Sequence, residues 1–220
     1  MRFGRRQGER EADGHQTPAP DGDSHSTDQQ ESSAPSGPVD VADLDPDAVF
    51  IDLGSMLVRQ PPEELDLRLQ VDEESGEVMT VLLVGENGVL EMRAFSSARG
   101  GDLWEEARRE IAADTTRRGG TTREQEGPFG TELYCEVPVT APDGSGAMQP
   151  SRVVGCTGPR WFVRATIAGH PAQDADAAIV FEEALRGLAV RRGNEAMAPG
   201  RPLPLHLPPE ARPAPDVDLG

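Results

Sequence analysis

The chain has 220 residues, of which 24 are Gly and 20 Pro, with 36% hydrophobic content and a formal net charge of −18 at pH 7. That suffices for one good core and falls short of two. Residues 1–47 hold 11 acids against 4 Arg, residues 48–193 hold 24 against 15, and residues 194–220 hold 4 against 2; with no basic segment and no run of ~18 apolar residues, nucleic-acid binding and membrane insertion are both disfavoured.

Positions 11–46 carry Asp, Glu, Ser, Pro, Gly, Gln and Thr with almost nothing large and apolar. Such a stretch cannot offset its backbone entropy, so residues 1–47 read as a disordered acidic head. Order is expected near Val49, where Val49, Ile51 and Leu53 alternate as in a strand. Leu65, Leu67, Leu69 and Val71 repeat the pattern, with Asp66, Arg68 and Gln70 on a wet face. Val78–Val84 and Val89–Phe95 flank Gly85-Glu-Asn-Gly88, which predicts a hairpin.

A helix follows, with Asp102 as its cap, Glu105 completing a capping box, and Gly119-Gly120 as its stop. Leu103, Trp104, Ala107 and Ile111 form its apolar stripe, and Glu105 can pair with Arg109. Phe129 opens the next strand, in which Leu133, Cys135, Val137 and Val139 alternate with Glu132, Tyr134 and Glu136. After a turn at 142–146 come a strand from Arg152 to Thr157, a Gly158-Pro159 corner, and a strand from Trp161 to Ala168. The second helix starts about Asp174 and presents Ala177, Phe181, Ala184, Leu185 and Leu188 on one face.

Hairpins in sequence plus isolated helices predict an α+β fold, a mostly antiparallel sheet covered by two helices, over a single domain at 48–193. Residues 194–208 form a Pro-rich extended segment in which Leu203, Leu205 and Leu207 alternate with polar or Pro positions. Two readings stand: a strap over the chain's own domain, or a linear motif offered to a partner. Residues 209–220 read as a disordered tail.

Reactive groups do not converge along the sequence. Of four histidines only His170 falls in the folded region, in a Gly-His-Pro turn, and neither a metal set nor a triad can be assembled around it. Cys135 and Cys156 lack a Cys-x-x-Cys arrangement and read as a core thiol pair on neighbouring strands. Ser55 lacks a nucleophile-elbow frame, and Arg117-Arg-Gly-Gly-Thr-Thr122 lacks the Lys of a phosphate loop. Glu126 and Glu132, which bracket a Gly-Pro-Phe-Gly turn, are the carboxylates an enzyme would use. Alternation places Trp161, Val163, Ala165 and Ile167 on one face and Phe162, Arg164 and Thr166 on the other. Phe162 and Arg164 are then either covered by the second helix or left exposed, and with Arg160 they make an interface-like combination.

Several phrases together carry a resemblance: Ile51-Asp-Leu-Gly-Ser55, Leu65-Asp-Leu-Arg-Leu69, Leu103-Trp104, Glu126-Gly-Pro-Phe-Gly-Thr-Glu-Leu133, Gly158-Pro-Arg-Trp-Phe-Val-Arg164, Met197-Ala-Pro and Pro202-Leu-Pro-Leu205. Over residues 48–208 the chain resembles an actinobacterial domain-of-unknown-function family, number 3710, which implies no catalytic residue and no cofactor. The element order is similar to the Mog1/PsbP-like sandwich, which implies small binding or assembly factors. The expectation is a non-enzymatic cytoplasmic binding or scaffold module with a protein partner, recognised through Arg160, Phe162 and Arg164 or through Leu203 and Leu205. The alternative is a small hydrolase or nucleotide-handling enzyme using Glu126 and Glu132.

Overall fold

Strand β10 (Trp161–Gly169) is buried on both faces, with Trp161, Val163, Ala165 and Ile167 on one and Phe162 on the other. A computed structural model describes residues 37–45, 47–99, 103–141 and 144–212. Among these, seven strands form one antiparallel sheet in the order β4-β5-β6-β10-β9-β8-β7. They are β4 (Asp66–Val71), β5 (Val78–Val84), β6 (Gly88–Ser96), β7 (Thr121–Gly127), β8 (Gly130–Thr140), β9 (Gly146–Gly158) and β10. A smaller sheet orders β1 (Val39–Asp40), β11 (Ala189–Val190), β3 (Met56–Arg59) and β2 (Phe50–Asp52), with β1 parallel to β11. Helices α1 (Leu103–Arg117) and α2 (Ala175–Arg186) complete an α+β architecture. No helix among the described residues is long and apolar enough to cross a membrane.

The two faces of the large sheet carry different cores. On one, Val81, Leu83, Leu90, Met92, Val154, Trp161, Val163 and Ile167 pack with Phe181 and Leu185 of α2, with Met56 and Val58 of the small sheet, and with Leu53 from the turn between β2 and β3. On the other, Trp104 of α1 joins Leu133, Cys135, Val153 and Phe162, with Phe95, Leu103, Ala107 and Ile111 around it. Helix α1 packs on β7, β8 and β9. Its end follows the sequence signal, Gly119 taking φ 79° and the Gly120 N–H donating to Thr115 O. Asp174 caps α2 through the Ala177 N–H. The proposed cap Asp102, most of the acidic head and the last eight residues lie outside the described residues.

Three sequence expectations are corrected. The fold begins before Val49, since β1 pairs with β11. Strand β7 has no apolar alternation to announce it, because this polar Thr-Thr-Arg-Glu-Gln-Glu-Gly stretch is a sheet edge. Phe129 is a turn residue, and β8 starts at Gly130.

Both Gly-Pro phrases are two-residue hairpin loops: Pro128-Phe129 between β7 and β8, and Pro159-Arg160 between β9 and β10. Proline pre-sets the first loop position. In each the glycine before Pro makes room for a returning side chain. A Cβ on Gly127 would sit 2.3 Å from the Glu132 carboxyl, and one on Gly158 would sit 2.0 Å from the Trp161 ring. Arg160 takes a left-handed φ of 61°, held by its carbonyl accepting from the Ser97 N–H and from Arg192 Nε.

The Pro-rich segment crosses the open end of the first core. Leu203 N–H donates to Ala94 O, Ser96 N–H to Arg201 O, and His206 N–H to Leu53 O. Leu203 is buried in that core and Leu205 packs against it.

Gly158→Ala is predicted to destabilise the protein by more than ~2 kcal/mol, because a fully buried ring must move. Gly130→Ala, with positive φ but open space around its Cβ, should cost only ~1 kcal/mol. Chemical denaturation of the two variants checks the order.

Candidate functional site

Glu132 leaves β8 toward the first core and is fully buried. Its Oε1 accepts from the Phe129 N–H at 3.3 Å, and its Oε2 lies 3.2 Å from Arg152 Nε on β9, close enough for attraction but without an aligned N–H···O bond. Arg152 in turn donates Nη2 to Glu182 of α2 at 2.5 Å, and Glu182 accepts from Arg186 at 3.0 Å. Arg186 also packs over the Phe129 ring. Two carboxylates and two guanidiniums thus tie β8, β9, α2 and the first Gly-Pro loop together. Burial raises the Glu132 carboxyl above its ordinary value, against the lowering effects of Arg152 and the Phe129 N–H.

The register separates the two carboxylates an enzyme would have used. Glu126 stands opposite Thr131, so it shares a face with Thr131 while Glu132, the next residue, points to the other. Glu126 accepts from Thr131 Oγ1 at 2.6 Å on the exposed side. The thiols are not a pair either. Cys135 stands opposite Ser151 on the α1 side, whereas Cys156 stands opposite Val163 and packs into the first core. Burial raises both, Cys156 to about 12 with Glu132 adding to the effect, so neither is a ready thiolate. His170 is exposed and lies 3.5 Å from Asp174.

Of the residues read as a recognition surface, Phe162 is buried, and the cover is α1 rather than α2: its ring stacks on Trp104 at 6.2 Å and meets Phe95 at 6.1 Å. Trp161 is buried as well, its Nε1 donating to Asp40 at 2.9 Å. Arg160 reaches Gly193 O at 3.5 Å. Arg164 lies away from these, half-buried on the α1 side of β10.

Sequence reasoning missed the partner of Arg164. The β6–β10 register sets Arg93 directly across from it, and the two guanidinium carbons each lie 5.8 Å from the centre of the Phe95 ring. Burial lowers the Arg164 pKa, and Arg93 adds to that while Glu91 opposes it. The signal was present in the alternation of Glu91-Met-Arg-Ala-Phe95, but pairing it with Arg164 required the strand order. From here toward β4 the sheet face is not roofed by α1. Asp66, Arg68 and Gln70 on β4 are exposed, and Leu82, Val84 and Val89 are half-buried members of neither core cluster.

Arg152→Met is predicted to cost ~3–5 kcal/mol at neutral pH, because it leaves Glu132 buried without a counter-charge. With its carboxyl pushed further up, Glu132 binds a proton in the folded state at a pH where the unfolded chain, near 4.5, does not. The deficit should therefore shrink as pH falls from neutral toward that value. Denaturant melts of the variant and the native chain across that range check the sign.

No curated protein matches the chain. A crystal structure from Bacteroides thetaiotaomicron VPI-5482 is similar at a TM-score of 0.40 and 14% identity, covering 66% of this chain and 49% of that one, so this chain spans about half its length. A likeness at that level carries no argument about fold or function. The model of the family described as "Protein of unknown function (DUF3710)" matches residues 37–214, and the chain belongs to that family.

Proposed function

We propose that this protein is a non-enzymatic cytoplasmic binding or scaffold module that engages a protein partner through the sheet face beside α1. The observation that supports this best is the division of labour among polar side chains. Groups that could do chemistry, Glu132, Cys135 and Cys156, are built into packing or internal ion pairs. The face of β4, β5 and β6 beyond α1 instead combines apolar Leu82, Val84 and Val89 with Glu91, Arg93 and, from β10, Arg164. Apolar area interspersed with arginine is the composition of recognition surfaces. In this reading Arg164 is the binding residue; Phe162 supports the surface from beneath. Arg160, Leu203 and Leu205 hold the strap end of the fold. As a finer description of the architecture, the order of strands, helix, strands and helix supports the Mog1/PsbP-like sandwich.

The test is capture of a defined partner by the full chain, with Leu82→Asp and Val84→Asp compared against Ile179→Asp on the exposed side of α2. The expected result is a partner recovered by the native chain and by the α2 variant, and reduced about tenfold or more by the sheet-face variants, all with unchanged circular dichroism. Failure to recover a reproducible partner, or recovery insensitive to Leu82 and Val84, would count against the reading.

A further inference from the structure

We propose that residues 197–206 are a releasable strap, seated in a strand-accepting groove of their own domain that takes an extended Leu-Pro-Leu segment of a partner once the strap lifts. This goes beyond the sheet-face reading and does not rest on it. Strand β5 pairs with β6 only from Val81 to Val84, so β6 runs on past that pairing with Ala94 and Ser96 at its edge. The strap fills the gap. Leu203 N–H donates to Ala94 O at 2.9 Å, while Ser96 N–H donates to Arg201 O and Gly200 N–H to Ser96 O, both at 2.8 Å. In the turn between β2 and β3, Ser55 N–H donates to Pro204 O at 3.2 Å and Leu53 O accepts from His206 N–H at 3.0 Å. This is the pairing of an added strand, in which main-chain bonds supply the hold and alternate side chains the selectivity. Leu203, the one buried residue among 197–206, enters the first core, and Leu205 packs against it.

Strap and seat are held by separate sets of bonds. On the strap's flanks, residues 193–196 are exposed, and neither they nor residues 207–212 belong to a helix or strand. The seat is fixed without it. Ser55 O accepts from the Arg191 N–H, Arg191 Nη1 donates to Asp52 and to Gly54 O, and the Leu53 N–H closes the turn on Met56 O. Ala94 and Ser96 stay in register with Val163 and Trp161 of β10. Lifting the strap therefore leaves a preformed groove that presents the Ser55 and Ser96 N–H groups, the Leu53 and Ala94 carbonyls, and a leucine-sized hole. Pro202 and Pro204 need no acceptor and keep a free strap extended, so little order is lost on release or regained on docking. The strap itself defines the occupant the groove fits: an extended segment with leucines two apart and proline where no donor is used.

Two measurements on the full chain test the proposal. In native-state hydrogen exchange, the amides of Ser55, Ser96, Gly200, Leu203 and His206 should exchange as a group, at least about tenfold faster than those of Val163 and Ala165 in β10. The second measurement titrates a fluorescein-labelled peptide with the sequence of residues 197–208 into the native chain and into the Leu203→Asp chain, each with native circular dichroism. Anisotropy should give the variant a Kd of order 100 µM, at least about tenfold tighter than the native chain, whose own strap competes. A peptide carrying the same Leu203→Asp change should not bind. Strap amides that exchange only together with β10 would overturn the proposal, and so would a folded Leu203→Asp chain that binds the peptide no better than the native one. If that variant does not fold, exchange in the native chain decides alone. Neither measurement involves Leu82 or Val84, so failure here leaves the sheet-face reading standing.

Discussion

The constraint on which this fold depends is that β10 must satisfy two cores at once. Its odd-numbered residues, Trp161 to Ile167, close the core shared with α2 and the small sheet, and its even-numbered Phe162 anchors the core under α1. A strand in that position cannot slip by one residue, since a slip would exchange Trp161 for Phe162 across the sheet and put Arg164 into a dry core. Register is therefore fixed at the corner that feeds the strand. There Gly158 leaves space for the Trp161 ring, Pro159 sets the turn, and Arg160 accepts a strained conformation because Ser97 and Arg192 hold its carbonyl.

The other Gly-Pro loop, between β7 and β8, solves a related problem with charge instead of an aromatic ring. Gly127 admits the Glu132 carboxylate, the Phe129 N–H binds it, and Arg152 and Glu182 carry the connection through β9 to α2. A buried ion network of this kind contributes little net stability relative to apolar packing, but it penalises any arrangement that leaves one member unpaired. Both loops thus specify which parts of the chain meet. That use consumes the residues that looked most capable of chemistry.

Much of the architecture was legible in the sequence because period-2 alternation around β4, β5, β6 and β10, the Asn-Gly turn, and the stripes of α1 and α2 each point to one local structure. Two kinds of information were not. Strand β7 is polar along its length, so only its pairing with β8 reveals it. Side-chain companionship across the sheet depends on strand order: Glu132 and Arg152 meet because β8 lies beside β9, and Arg93 meets Arg164 because β10 returns beside β6 across more than sixty residues of sequence. The choice between core and surface for Trp161 and Phe162 could not be made from alternation because α1 roofs the second face at that point, leaving neither ring exposed.

Native-state hydrogen exchange tests the central claim most directly, because it measures which parts open only when the whole molecule unfolds. If β10 is the doubly buried strand that fixes the register, its amides from Phe162 to Ile167 and the Trp161 indole N–H should exchange only through global unfolding, with the amides of β4 exchanging far faster. Exchange of the β10 amides at the rate of β4 would contradict the account.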